Sequence, residues 1–444
     1  MSEDKIINII GGGLAGSEAA WQIATRDSNI RVKLYEMRPH DMTPAHKTEN
    51  LAEVVCSNSL GSENNLEQNK ISASGILKEE LKLGNSLILN CAESSRVPAG
   101  GALAVDRNKF SSLVTQKILK LENVELIRGK VNKIPEGVCI IASGPLSSPE
   151  LIEDLSKLIG ENYIAFFDAV APVVTKDSID FNKAYIAGRY GRGDDYINCP
   201  LNKDEYLNFY NELINAERAL PHDFEKNLYF EGCMPIEALA DRGRDTMRFG
   251  PMKPVGLPDP KTGREPWAVV QLRQDNFEGS LYNIVGFQTG LKWGEQKRVF
   301  SLIPGLEHAE IMRYGVMHRN TSLNAPAVLD KYLRLKDFNN IFIAGQLTGV
   351  EGYMESTAMG LAAGLNALRL LNNQELISWP DETVIGSLIR YLNTASAKHF
   401  QPMNANLGIF PALDVKIKDK KLKALKIRER AVTSAQKFWE SFNE

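Results

Sequence analysis

The sequence predicts an α/β protein: a doubly wound, Rossmann-like sheet domain, interrupted by an inserted α+β domain and followed by a helical C-terminal tail. Three observations predict it. The chain opens with a buried strand, a glycine turn and a helix of small residues, and it returns after Asn340 to another strand, glycine turn and long small-residue helix. Between them, from about Pro149, the texture changes to short strand-like runs, aromatics and turn residues. At 444 residues and 43% hydrophobic content the chain exceeds what one core usually supports. The expected organisation is 1–150 as the first part of the sheet domain, 151–334 as the insertion, and 335–444 as the return segment plus a basic helical tail.

Lys5 to Ile10 reads as a buried strand, Gly11 to Gly16 as a turn, Ser17 to Thr25 as a helix and Ile30 to Tyr35 as a second strand. Further strands are expected at Val124 to Ile127 and Gly137 to Ala142. In GGGLAG (Gly11, Gly12, Gly13, Leu14, Ala15, Gly16) the first, third and sixth residues occupy the GxGxxG positions. Gly11 permits the tight turn, Gly13 lets backbone approach a pyrophosphate, and Gly16 lets helix pack on strand. The helix N-terminus offers amides to phosphate. Glu36 ends the second strand 20 residues beyond Gly16, where a carboxylate accepts ribose hydroxyls and disfavours a 2′-phosphate. These features point to a dinucleotide. Gly345, Gln346 and the glycines of GVEGYMES narrow it to FAD, because such a segment brings backbone and a helix N-terminus to the flavin, which a nicotinamide dehydrogenase does not require. The string GRYGRG near Gly188 lacks a preceding buried strand and reads as a charged loop, so a nicotinamide reductant has no fold of its own here.

Cys56, Cys91, Cys139, Cys199 and Cys233 are odd in number, scattered and free of any CxxC pair, so neither a disulfide framework nor a metal site is expected. No apolar stretch is long enough to span a bilayer, and Met1 to Asp4 is polar with no signal segment behind it; a cytoplasmic protein without membrane partners is the expectation. The net charge of -3 conceals a run, Lys416 to Arg430, with eight basic and two acidic side chains. Taken alone it reads as a solvated helix face, yet it leaves a nucleic-acid partner open.

The chain resembles the bacterial folate- and FAD-dependent tRNA uridine-C5-methyltransferases, relatives of the GidA-like flavoproteins of tRNA wobble-uridine modification. The resemblance is nearly full length. It rests on IIGGGLAGSEAAW, YEMRP, VCSNSLGS, GILKEEL, VPAGGALAVDRNKFS, EGCMPIE, DTMRFGPMKPVGL, AVVQLRQD, YGVMHRNT and AGQLTGVEGYMESTAMGL. VCSNSL and EGCMPIE favour the methyltransferases over the wobble-uridine enzymes, and the family itself carries glutamine at the position of Gln346.

The resemblance implies a GidA-like fold and C5 methylation of the T-loop uridine of tRNA. The one-carbon donor it implies is 5,10-methylenetetrahydrofolate. Reduced FAD then either carries the methylene or supplies hydride, and NADPH or NADH closes the cycle. Uracil C5 becomes nucleophilic once a thiolate adds to C6. Cys56 and Cys233 match the family's two catalytic cysteines; Cys56 is expected as nucleophile and Cys233 as base, with the reverse assignment open. His318 is the candidate for the second face of the folate pterin. Arg319 and Arg273 suit the folate glutamate carboxylate or RNA phosphate. For the tRNA T-arm, the basic candidates are Arg189, Arg192, Arg242, Arg244, Arg248 and the Lys416 to Arg430 run. The same chemistry on a large-subunit rRNA uridine, or a flavin-dependent small-molecule oxidoreductase, are the alternatives; the oligomeric state is open.

Overall fold

Ile6–Ile10 is almost entirely buried and lies at the centre of a parallel sheet, which explains why four of its five side chains are isoleucine. The computed structural model describes residues 5–42, 46–54, 58–97, 101–160, 164–167, 171–191, 194, 196–218, 235–274, 279–315 and 320–443. The chain divides into two units, Met1–Ala165 with Thr321–Glu444, and Phe166–Asn320. The Pro149–Ile159 helix belongs to the first: Lys130 pairs with Glu150, and Asp154 accepts the Ile134 N–H.

In the first unit the five-stranded sheet runs in the order Ile341–Ile343, Val138–Ile141, Ile6–Ile10, Arg31–Glu36, Val124–Arg128, every neighbouring pair parallel. The strand from beyond the insertion thus lies beside one from before it. Two helices of small residues cross against each other, Leu14–Ala24 and Tyr353–Leu371. Glycine sets their distance. A Cβ on Gly360 would lie 2.2 Å from the Ala15 carbonyl oxygen, and one on Gly364 would lie 3.0 Å from the Ala19 Cα.

Buried carboxylates cap helices from a distance in this unit. Glu18 accepts the Ile88 N–H and the Ser86 hydroxyl at the start of the Leu87–Ser94 helix. Glu80 accepts the Val384 and Ile385 N–H groups (2.7 and 3.1 Å) at the start of Val384–Thr394. Both satisfy amides that a helix start leaves unbonded. The basic tail forms the Lys420–Asn443 helix, whose Phe438 and Trp439 rings pack on Trp379.

The second unit is built on a six-stranded antiparallel sheet, in the order Tyr185–Ile186, Tyr196–Leu201, Ala268–Gln274, Leu281–Ile284, Val173–Thr175, Ile311–Arg313. Its core gathers Tyr206 and Phe209 from the Lys203–Ile214 helix, Phe300 from Trp293–Phe300, and Phe287. Phe287 meets Phe209 at 6.0 Å and Phe300 at 5.6 Å. An α+β insertion with its own core is therefore present. No helix of the described residues is long and apolar enough to cross a membrane.

Candidate active site

Gly11 leaves the first strand with φ +105°, and a Cβ there would strike the Ala142 carbonyl oxygen at 2.5 Å. Only glycine fits that turn. Gly16, one helical turn on, is pressed against it: a Cβ on Gly16 would lie 1.8 Å from the Gly11 carbonyl oxygen. Gly13 is different. It is the N-cap of Leu14–Ala24, its side chain offers no cap and the first turn holds no acidic residue. A Cβ on Gly13 would meet nothing within 4 Å. The uncapped helix start therefore faces open space, which suits the pyrophosphate of a dinucleotide.

Glu36 stands beside this turn. Its Oε2 accepts the Gly12 N–H at 2.9 Å, and its Oε1 accepts the Arg38 Nε (2.8 Å) and backbone N–H (3.0 Å). Burial pushes the carboxyl up, but the hydrogen bonds and charge of Arg38 outweigh that and hold it below the usual carboxylate range. Oε2 keeps a lone pair for a ribose hydroxyl. Arg38, itself buried, is also neutralised by Glu53 at 3.1 Å and so offers no strong pull to a 2′-phosphate.

The return segment follows the Ile341–Ile343 strand. Gly345 has φ +71°, and a Cβ on it would lie 2.9 Å from the Ala15 Cβ, so this turn abuts the first helix. Gln346 is half-buried between buried neighbours. Gly352 (φ +119°) is the N-cap of Tyr353–Leu371 and offers no side-chain cap. One open helix start, a positive-φ glycine turn in the return segment and a ribose-type carboxylate in one unit fit FAD: Gly11 to Gly16 would hold the pyrophosphate, Glu36 the adenosine ribose, and Gly345 with Gln346 the flavin side.

Cys56, Cys233, His318 and Arg319 lie outside the described residues. Their flanks are described. Cys56 precedes the Ser59–Ser62 strand, Cys233 precedes the Ile236–Asp241 helix, and His318 and Arg319 follow Tyr314 and Gly315. The three described thiols are all buried, and burial pushes Cys91 up to about 11, Cys139 up to about 12 and Cys199 higher still. None suits a nucleophile near neutral pH.

A model of the family described as glucose inhibited division protein A matches residues 6–375. The methylenetetrahydrofolate--tRNA-(uracil-5-)-methyltransferase TrmFO of Acetivibrio thermocellus is 57% identical over 436 residues, covering 96% of this chain and 98% of that protein. The protein of the same name from Brevibacillus brevis is 55% identical over 433 residues, covering 97% and 98%. This chain belongs to the TrmFO family. Among solved structures, Aquifex aeolicus GidA in its form I crystal covers 99% of this chain and 76% of its own at a TM-score of 0.51 and 17% identity, a likeness of fold.

In this TrmFO chain the basic candidates separate into two groups. Arg189 donates to the Val255 and Lys253 carbonyls and to Gln271 Oε1, so it fastens a loop. Arg248 stacks on Trp267 at 3.7 Å and bonds the Trp267 carbonyl. Arg428 pairs with Glu79, and Arg430 bonds the Pro411 and Ala412 carbonyls. These side chains hold structure. Arg244 is exposed, as are Lys416, Lys418 and Lys421 of the tail. Arg273 is half-buried on the Ala268–Gln274 strand, opposite Tyr196 and Asn283. Arg192 lies outside the described residues.

One buried charged residue near the Cys56 motif was not legible as a pattern. Lys78, inside GILKEEL, is buried and donates to the Ser62 carbonyl (3.0 Å) and the Ser74 hydroxyl (2.9 Å), which fastens the strand that follows Cys56. Burial, opposed by the charges of Glu355 and Glu63, pulls its ammonium down to about 8. Glu355, buried in the first turn of Tyr353–Leu371, is pushed up by that burial and accepts the Ala405 N–H. A lone lysine within KEEL gives no periodic signal to mark it as internal.

Proposed function

We propose that this chain methylates C5 of the T-loop uridine of tRNA, with 5,10-methylenetetrahydrofolate as the one-carbon donor. The observation that carries this reading is near-full-length identity above one half to proteins named for that folate-dependent tRNA (uracil-5-) methylation. The glycine turn and Glu36 support FAD as cofactor.

In this reading the Cys56 thiolate adds to uracil C6, and C5 then bonds the one-carbon unit of the folate. Cys233 takes the proton from C5, the bond from the one-carbon unit to its carrier nitrogen breaks with that amine leaving, and delivery of hydride to the resulting C5 methylene expels the Cys56 thiolate and restores the ring. Reduced FAD, when bound, supplies electrons for bringing the one-carbon unit to the methyl level, with NADPH or NADH as the donor. His318 packs on the pterin, and Arg319 and Arg273 bind the folate carboxylates or RNA phosphate. The Phe166–Asn320 unit is the substrate-binding insertion. A cytoplasmic location follows from the tRNA substrate.

The test uses purified holoenzyme and T-stem-loop RNA carrying 5-fluorouracil, which traps the C6 adduct. The expected result is a covalent complex that Cys56→Ala abolishes and Cys233→Ala preserves. Loss in Cys233→Ala alone reverses the two roles. Nucleoside mapping of cells lacking the protein completes it: tRNA that keeps its 5-methyluridine while large-subunit rRNA loses a methyl group overturns the choice of RNA.

A further inference from the structure

Trp293 is the first residue of the Trp293–Phe300 helix and is 62% exposed, an unusual setting for the largest apolar side chain. Its ring is not loose. It stacks on Tyr314 with centroids 5.3 Å apart and planes inclined by 13°.

Two buried side chains fix this pair from below. Gln296, one turn along the helix and fully buried, donates to the Gly315 carbonyl and accepts the Gly315 N–H, both at 2.7 Å, so the residue after Tyr314 is clasped at two points. Glu237 accepts the Thr289 hydroxyl at 2.8 Å and the Gly290 N–H at 2.5 Å, which sets the loop leading into Trp293. The anchors belong to two motifs already singled out. Glu237 lies four residues after Cys233, and Gly315 lies three before His318.

Lys297 stands one turn from Trp293 on the same helix face, exposed and without an ion pair among the described residues. Its neighbours Lys292 and Arg298 are taken up by Glu217 and by Glu212 with Glu295. A preset, flat, exposed aromatic face with one cation beside it matches the way unpaired nucleotides are held: base on ring, phosphate on cation.

We propose that the Trp293–Tyr314 stack is a platform for an unpaired base of the RNA substrate, with Lys297 on an adjoining phosphate. This rests on the reading of the substrate as tRNA. Because the stack is already formed by Gln296 and Glu237, the base docks on it without reordering the protein.

The test compares wild-type holoenzyme with Trp293→Ala, Trp293→Phe and Lys297→Gln in T-stem-loop RNA binding, methylation rate and folate KM. Bound-flavin absorbance and thermal unfolding check that each variant is folded. Trp293→Ala is expected to weaken RNA binding about tenfold, the size of one base–aromatic stack, with folate KM unchanged, and Trp293→Phe to restore most of it. Lys297→Gln is expected to reduce the salt dependence of binding by about one counterion, a change Trp293→Ala does not make. Unchanged RNA affinity in folded Trp293→Ala, or a shift in folate KM alone, overturns the platform while leaving the methyltransferase reading intact. Wild-type enzyme that neither binds nor methylates the RNA overturns both.

Discussion

The Glu36 carboxylate and the Arg38 guanidinium meet at 2.8 Å with side-chain exposures of 7% and 2%. An ion pair that dry is held by its geometry, since removing one partner strands the other. Arg38→Ala leaves both Glu36 and Glu53 facing an empty space. We expect it to cost about 3–5 kcal/mol in urea unfolding and to abolish FAD retention through gel filtration. A loss under about 1 kcal/mol, the scale of a surface pair, would show that the site reorganises around a bare carboxylate.

Gly13 and Gly360 offer a contrast between ligand space and packing space. Gly13→Ala places its methyl where nothing lies within 4 Å, and the backbone there (φ -72°) tolerates alanine. The apoprotein should unfold at the wild-type temperature while FAD affinity falls at least about tenfold, or ~1.4 kcal/mol. Gly360→Ala drives a methyl into the Ala15 backbone. That variant should lose about 1–3 kcal/mol of stability, as overpacked cores do, whether or not FAD is added.

Glu80 gives a pH prediction. Burial raises its pKa to about 8, against the ordinary 4.5, despite two backbone N–H bonds. Between pH 4.5 and 8 the folded state therefore binds more protons than the unfolded one, so this group's contribution to stability falls as pH rises through that window. Glu80→Gln removes the slope. Thermal unfolding across pH 5 to 8 should show the wild type declining relative to the variant; parallel curves would contradict the assignment.

Lys78→Met keeps the aliphatic stem but removes the ammonium that holds Ser62 and Ser74. The strand after Cys56 loses its anchor, and the turnover number is expected to fall about tenfold, ~1.4 kcal/mol in transition-state terms, with FAD content preserved. Cys56 alkylation by iodoacetamide should change rate in step. Unchanged turnover and alkylation would make Lys78 a packing residue only.

Much of the sheet domain could be read from the sequence because its signals are local. IINII and IFI are short, mostly buried apolar strands, RVKLYE alternates buried and more exposed side chains, and GGGLAG announces its turn through Gly11 and Gly16, which a Cβ would block. The expected insertion began at 151, whereas the second unit begins at Phe166, because the Pro149–Ile159 helix is tied to the first unit by pairings with residues such as Lys130 that no local pattern reveals. Glu18, Glu80 and Lys78 were illegible for a related reason. Charged residues in a helix read as surface, and only long-range amide partners such as Ile88 and Val384 turn them inward. Arg189 and Arg428 could pass for RNA contacts on composition alone, until their carbonyl and carboxylate partners are in view.

The crossing of Leu14–Ala24 with Tyr353–Leu371 also orders events during synthesis. The first helix leaves the ribosome more than three hundred residues before the surface it packs on, with Ala15, Ala19 and the edge of Val138–Ile141 still uncovered. The Phe166–Asn320 unit, with its own aromatic core, is complete before that surface arrives. A nascent chain stalled before Ile341 therefore has the Gly11 to Gly16 turn without the segment that packs on its helix, and if that segment forms part of the flavin cradle, capture would come near the end of translation.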